Sequence, residues 1–187
     1  MKIAILGWGS LIWDKRDLKI KGTISGNEWK QDGPELPLEF SRVSLDGRLT
    51  LVIDNQGTVN PVLYAISEFA DTQEAKNNLT NREGTSKSNI GCMFRNGTCH
   101  PADFIYTTRL LNWLKANPDI DALIWTNLQS NFELKTGKQF SPANALQYLH
   151  SLEDHKKITV VNYILKAPLQ IHTIFRTAFE KELITDI

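Results

Sequence analysis

"KIAILGWGSLIWD", residues 2–14, is the stretch on which the fold turns. Ile3, Ala4, Ile5 and Leu6 form an unbroken apolar run, the pattern of a strand covered on both faces. The run leads straight into Gly7-x-Gly9. A strand followed by two close glycines is how a dinucleotide-binding βαβ unit begins, because glycine lets the backbone approach a pyrophosphate. The rest of that fingerprint is missing. Its third small position, where a helix packs on the strand, is held by Ile12. Residues 11–16 make no crossover helix before the next β-prone run at Leu18. No acidic residue ends a second parallel strand, since Glu28 falls in a loop, and no Gly-Lys-Ser/Thr follows to make a P-loop. What remains is a turn rich in backbone N–H groups. With the Ser10 hydroxyl it suits a carboxylate or a developing oxyanion as well as a phosphate. A strand-end turn without a ligand is the plain alternative. Trp8 and Trp13 either wall such a site or belong to the core.

Working outward, residues 18–24 alternate apolar and polar as a half-exposed strand does, and residues 26–37 read as a loop rich in Gly, Pro, Asn and Asp. Residues 38–43 and 48–53 are β-prone runs flanking Asp46-Gly47, a hairpin signal. Residues 62–66 add another strand. Helical patterns cover 68–80 and 103–115, with a polar, turn-like segment at 81–88 and a stop at Asn117-Pro118. Residues 90–94, "IGCMF", and residues 122–125 read as buried strands. Ser141-Pro142 starts a helix running through Leu152, with Ser141 as N-cap and Pro142 at its first position. Residues 158–165 fit strand or helix, and a last helix spans about 169–183. No repeat or linker divides the chain. The expectation is a single α+β domain over residues 1–187, built on a mostly antiparallel sheet or small β-barrel with flanking helices.

Composition narrows the function. Lys+Arg and Asp+Glu are both 21, so no basic surplus draws the chain to nucleic acid or an anionic membrane. No apolar run reaches the roughly 18–20 residues that span a bilayer. The charges at Asp14, Lys15 and Arg16 interrupt any secretory core, so a cytoplasmic protein is expected. Cys92 and Cys99 do not form a CxxC, and His100 adds no recognisable metal pattern; neither metal nor cofactor is expected. No G-x-S-x-G surrounds a serine, and the four histidines, His100, His150, His155 and His172, are dispersed.

"GWGSLIWD" resembles the Gly-Tyr-Gly-Ser-Leu-x-Trp opening of the γ-glutamylcyclotransferase-like superfamily, nearer its glutathione-specific branch. That family places a catalytic glutamate downstream, within Arg-Glu or Glu-Gly, after several strands and a helix. "LTNREGTS" supplies Arg82-Glu83-Gly84 at that place in the order, and "PLEFSRVSLDGRLTLVI" resembles the strand pair between. The resemblance covers residues 2–91. From about 103 onward the chain is either a branch-specific elaboration or too diverged to match. Trp8 stands where tyrosine is usual, and Leu11 where one branch has asparagine, which puts the substrate more than the fold in question.

The resemblance implies an enzyme that cyclises a γ-glutamyl amine or peptide to 5-oxoproline and releases the amine, without metal or cofactor. Glu83 would be the catalytic general base and acid, and Gly7, Trp8, Gly9, Ser10 and Leu11 would bind substrate oxygen. An ordinary glutamate is a feeble base, so burial should raise its pKa. Arg82 would lower it if the two met, so Arg82 is expected to turn away, toward a structural partner or the substrate carboxylate. Three other readings of the residues stay open: a non-catalytic module binding an acidic small molecule in the same pocket, a nucleotide-binding α/β domain, which a parallel sheet with a helix beginning at Leu11 would revive, and a surface or capping role for Glu83.

Overall fold

A computed structural model describes residues 1–22 and 28–185. In chain order its elements are β1 (Ile3–Gly7), β2 (Glu35–Val43), β3 (Leu49–Ile53), β4 (Thr58–Pro61), β5 (Leu63–Ile66), α1 (Thr72–Glu83), β6 (Ile90–Phe94), β7 (Cys99–His100), α2 (Thr107–Ala116), β8 (Ala122–Thr126), α3 (Phe132–Thr136), α4 (Pro142–Ser151), α5 (Asp154–Lys166) and α6 (Ile174–Thr185). The class is α+β, with a five-stranded and a three-stranded sheet, neither closed into a barrel among the described residues. Two compact units result: the described residues of Met1–Leu36 with Pro61–Leu128, and those of Pro37–Asn60 with Gln129–Ile187. No helix among the described residues is long and apolar enough to cross a membrane.

The first unit holds the five-stranded sheet, in the order β5-β1-β8-β6-β7. β1 pairs antiparallel with β5 but parallel with β8, Ile5 lying opposite Ile124. Ile3, Ala4, Ile5 and Leu6 are fully buried because both faces are covered, which is why the run is apolar throughout. On one face Trp125 lies across Gly91, where a Cβ would stand 2.2 Å from its Cε2 atom. Trp113 of α2 meets Tyr64 edge-on at 4.9 Å on that face. The register places Ile5, Ile124 and Cys92 on the opposite face. There α1 packs, its Lys76 Nζ lying 3.9 Å from Cys92 Sγ.

Helix α1 differs from expectation at both ends. Asp71 accepts from the Glu74 N–H at 3.0 Å and so delays the start to Thr72. The end extends to Glu83, where Gly84 at φ 60° provides the left-handed cap. Residues 81–83 are therefore the last turn of a helix and not a polar loop. The expected strand at 18–24 is absent as far as Gly22, with only an isolated bridge from Ile20 to Ser67. Thr23, Ile24 and the beginning of the loop expected at 26–37 lie outside the described residues.

In the second unit β2 and β3 form the expected antiparallel hairpin, closed at Gly47 with φ 84°. β4 lies on the other side of β2. Phe40 of β2 packs against Tyr163 of α5 and Phe175 of α6. Ser141 caps α4 as read, accepting from the Asn144 N–H at 3.1 Å. Residues 158–165 are helical. The last helix begins later than expected because Thr173 caps it, its hydroxyl accepting from the Arg176 N–H.

Candidate functional site

Glu83 and the glycine turn meet through one guanidinium. Arg82 Nη1 donates to Glu83 Oε1 at 2.9 Å, while Nη2 donates to Ser10 Oγ at 3.1 Å and to the Asp14 carbonyl at 2.5 Å. The Arg82 side chain is 3% exposed and that of Glu83 17%, so the pair is sheltered from water. The expectation that Arg82 turns from the carboxylate is overturned. At the last turn of α1, the segment after β1 supplies a carbonyl and a hydroxyl on one side, and Glu83 the carboxylate on the other. One planar fork satisfies all three.

The same helix fastens that segment a turn earlier. Asn78 Nδ2 donates to the Asp17 carbonyl at 2.9 Å and its Oδ1 accepts from the Lys19 N–H at 2.8 Å. Asn78 and Arg82 are four residues apart and share a helix face. Between their contacts Arg16 adopts φ 47°, and its Nε holds the Asp14 carboxylate at 3.1 Å.

Each residue of the turn has a definite place. Gly7 ends β1 with an ordinary backbone conformation, and the space its Cβ would fill is taken by the Trp29 ring at 2.6 Å. Its bare face therefore serves packing, not the approach of a ligand. Trp8 and Leu11 are buried. The Gly9 carbonyl accepts from the Ile12 N–H and the Ser10 carbonyl from the Asp14 N–H, closing the turn without a helix. With no crossover helix after β1, the dinucleotide reading has no support. The N–H groups of Gly9, Ser10 and Leu11 meet no acceptor among the described residues.

The parallel register brings in a residue that the sequence reading missed. Continuing it from Ile5 opposite Ile124 sets Thr126, the last residue of β8, level with Gly7 and on the face where α1 packs. Thr126 Oγ1 is buried without a hydrogen-bond partner among the described residues, as is Arg82 Nε. The one available signal was the change from apolar strand to Thr126-Asn127 in "DALIWTNL". Ligand sites in mixed α/β sheets gather at the carboxyl ends of parallel strands, and Gly7 and Thr126 are both such ends.

Burial raises the pKa of Glu83 above its ordinary value. Arg82, the Thr126 hydroxyl and the more distant Arg16 all pull it down, and burial outweighs them. Cys92 is buried in β6 like a small apolar side chain. Among the described residues no group of His, Cys, Asp and Glu is placed to hold a metal ion. Fold and site thus define an α+β protein with a sheltered carboxylate beside a donor-rich turn. Comparison with protein-family models, with curated proteins and with solved structures found no match.

Proposed function

We propose that the protein cyclises a γ-glutamyl amine or peptide to 5-oxoproline, with Glu83 as the catalytic carboxylate and the Gly9–Leu11 part of the turn as the oxygen-binding element. The observation that carries the reading is the contact of Arg82 with both Glu83 and Ser10, which joins two sequence motifs 72 residues apart in one cluster. Both motifs resemble those of the γ-glutamylcyclotransferase-like superfamily, in the same order.

The chemistry asks little beyond what such a cluster offers. The substrate's α-amino nitrogen attacks its own γ-carbonyl carbon, so the ring closes within one molecule, and holding the folded rotamer supplies much of the rate. Glu83 accepts the proton that the α-ammonium must lose. The new C–N bond converts the carbonyl oxygen to an oxyanion, which the N–H groups of Gly9, Ser10 and Leu11 stabilise. The bond to the leaving nitrogen then breaks as Glu83 returns its proton to the departing amine, and the second proton that the new ring nitrogen sheds passes through Glu83 to that amine, which leaves as ammonium. A carboxyl whose pKa is raised by burial suits both transfers better than an exposed one.

The test is incubation with a panel of γ-glutamyl amines and peptides, with 5-oxoproline followed by mass spectrometry. Turnover by the wild type, absent in a folded Glu83→Gln variant, supports the reading. Turnover that survives in Glu83→Gln overturns the assignment of Glu83. Saturable binding without any 5-oxoproline from the wild type overturns the enzymatic reading and leaves a binding module for an acidic small molecule.

A further inference from the structure

Resting on that reading of Glu83, we propose that Thr126 is its positioning residue: the hydroxyl donates to the carboxylate and fixes the face from which Glu83 exchanges its proton. Three observations converge. Arg82 Nη1 occupies Oε1 of Glu83, which leaves the other carboxylate oxygen for a second donor. Thr126 Oγ1 is a buried hydroxyl without a settled partner, and a hydroxyl so enclosed seeks one. The parallel pairing of β1 with β8 carries Thr126 to the level of Gly7, on the face covered by α1, whose last residue is Glu83.

The groups around Glu83 come from three elements: Arg82 on α1, Arg16 in the segment after β1, and Thr126 on β8. Arg16 is itself engaged by Asp14, so its influence at Glu83 is blunted. Thr126 is the neutral member. It cannot compensate the carboxylate as a countercharge does, but it can hold one rotamer and favour the ionised form.

The experiment is a titration of the Glu83 carboxyl carbon by NMR in the intact protein, in wild type, Thr126→Val and Thr126→Ser. Valine keeps the shape and removes the hydroxyl, whereas serine restores it. The expected result is an upward shift of the Glu83 pKa by roughly one unit in Thr126→Val, reversed in Thr126→Ser. The acid limb of the kcat/KM profile for γ-glutamyl turnover should move with it. Titrations that superimpose in wild type and Thr126→Val overturn the proposal, whether or not the protein turns over γ-glutamyl compounds. A shifted titration in a protein without such turnover upholds the contact and refutes the proposed reaction.

Discussion

Replacing Arg82 by methionine should destabilise the protein in a way that depends on pH, and the size follows from the cluster. Methionine keeps the length of the stem and removes the guanidinium. Glu83 then either stays ionised in its sheltered place or takes up a proton. The second course limits the damage. Protonating a carboxyl of ordinary pKa near 4.3 costs about 1.36 kcal/mol per pH unit above that value. The Glu83 contribution is therefore at most about 3.7 kcal/mol at pH 7 and about 1 kcal/mol at pH 5. That ceiling agrees with the roughly 3–5 kcal/mol typical of breaking a buried pair by removing one partner. A second, pH-independent loss comes from the hydrogen bonds to Ser10 and the Asp14 carbonyl, about 1–2 kcal/mol each.

The sign is fixed by linkage. Without Arg82 the folded pKa of Glu83 rises further above its unfolded value. The variant's stability is then fully retained below the unfolded pKa and lost as pH climbs through the folded one. Urea denaturation of wild type and Arg82→Met at several pH values from 4 to 7.5 measures the difference. It should widen steadily with pH, and adding Glu83→Gln to Arg82→Met should flatten it. A difference that is constant across that range would refute the claim that Arg82 compensates a buried Glu83 carboxylate.

Two further outcomes probe the frame. Gly91→Ala sets a methyl 2.2 Å from the Trp125 ring, a rigid and fully buried partner. It should cost about 3 kcal/mol, toward the upper end for overpacking, read from the urea midpoint; an unchanged midpoint would show that the indole does not lie across β6. Glu39 is 1% exposed, accepts from the Phe40 N–H, and has its pKa raised chiefly by burial. Its favourable contribution is present below the unfolded pKa and declines as pH rises through the folded value. The stability of Glu39→Gln relative to wild type should accordingly increase between pH 4 and neutral, and denaturation curves that keep a constant offset would contradict the raised pKa.

Strands were legible where one physical signal dominated. β1, β3, β6 and β8 are mostly apolar and mostly buried, and the β2–β3 hairpin carries Asp46-Gly47 at its turn. β4 and β7 were missed because Thr58–Pro61 and Cys99–His100 are short and largely polar. The parallel pairing of β1 with β8 joins residues about 120 apart and leaves no local trace. Glu83 and the turn were legible as motifs expected to face one pocket, but the Arg82 bridge that joins them was not. Arg82 next to Glu83 in sequence looked like a reason for the two to separate, since a cation lowers the pKa that catalysis needs raised. Only the sheltered positions of the Arg82 and Glu83 side chains indicate that desolvation outweighs the cation.

That balance also separates a structural from a chemical purpose for the cluster. Fastening α1 to the segment after β1 is already accomplished by Asn78, a neutral amide that satisfies two backbone groups without bringing a charge out of water. If Arg82 served the same end alone, its contacts with Ser10 and Asp14 would suffice, and Glu83 would need no burial. A carboxylate held there with a raised pKa subtracts stability at neutral pH, because folding must either keep a reluctant charge or bind a proton. Arg82 reduces that penalty without removing it, as the net upward shift shows. The arrangement is thus poorly suited to a purely mechanical role. It fits the proposed role, in which a carboxyl takes up and gives back a proton beside turn N–H groups that meet no acceptor among the described residues.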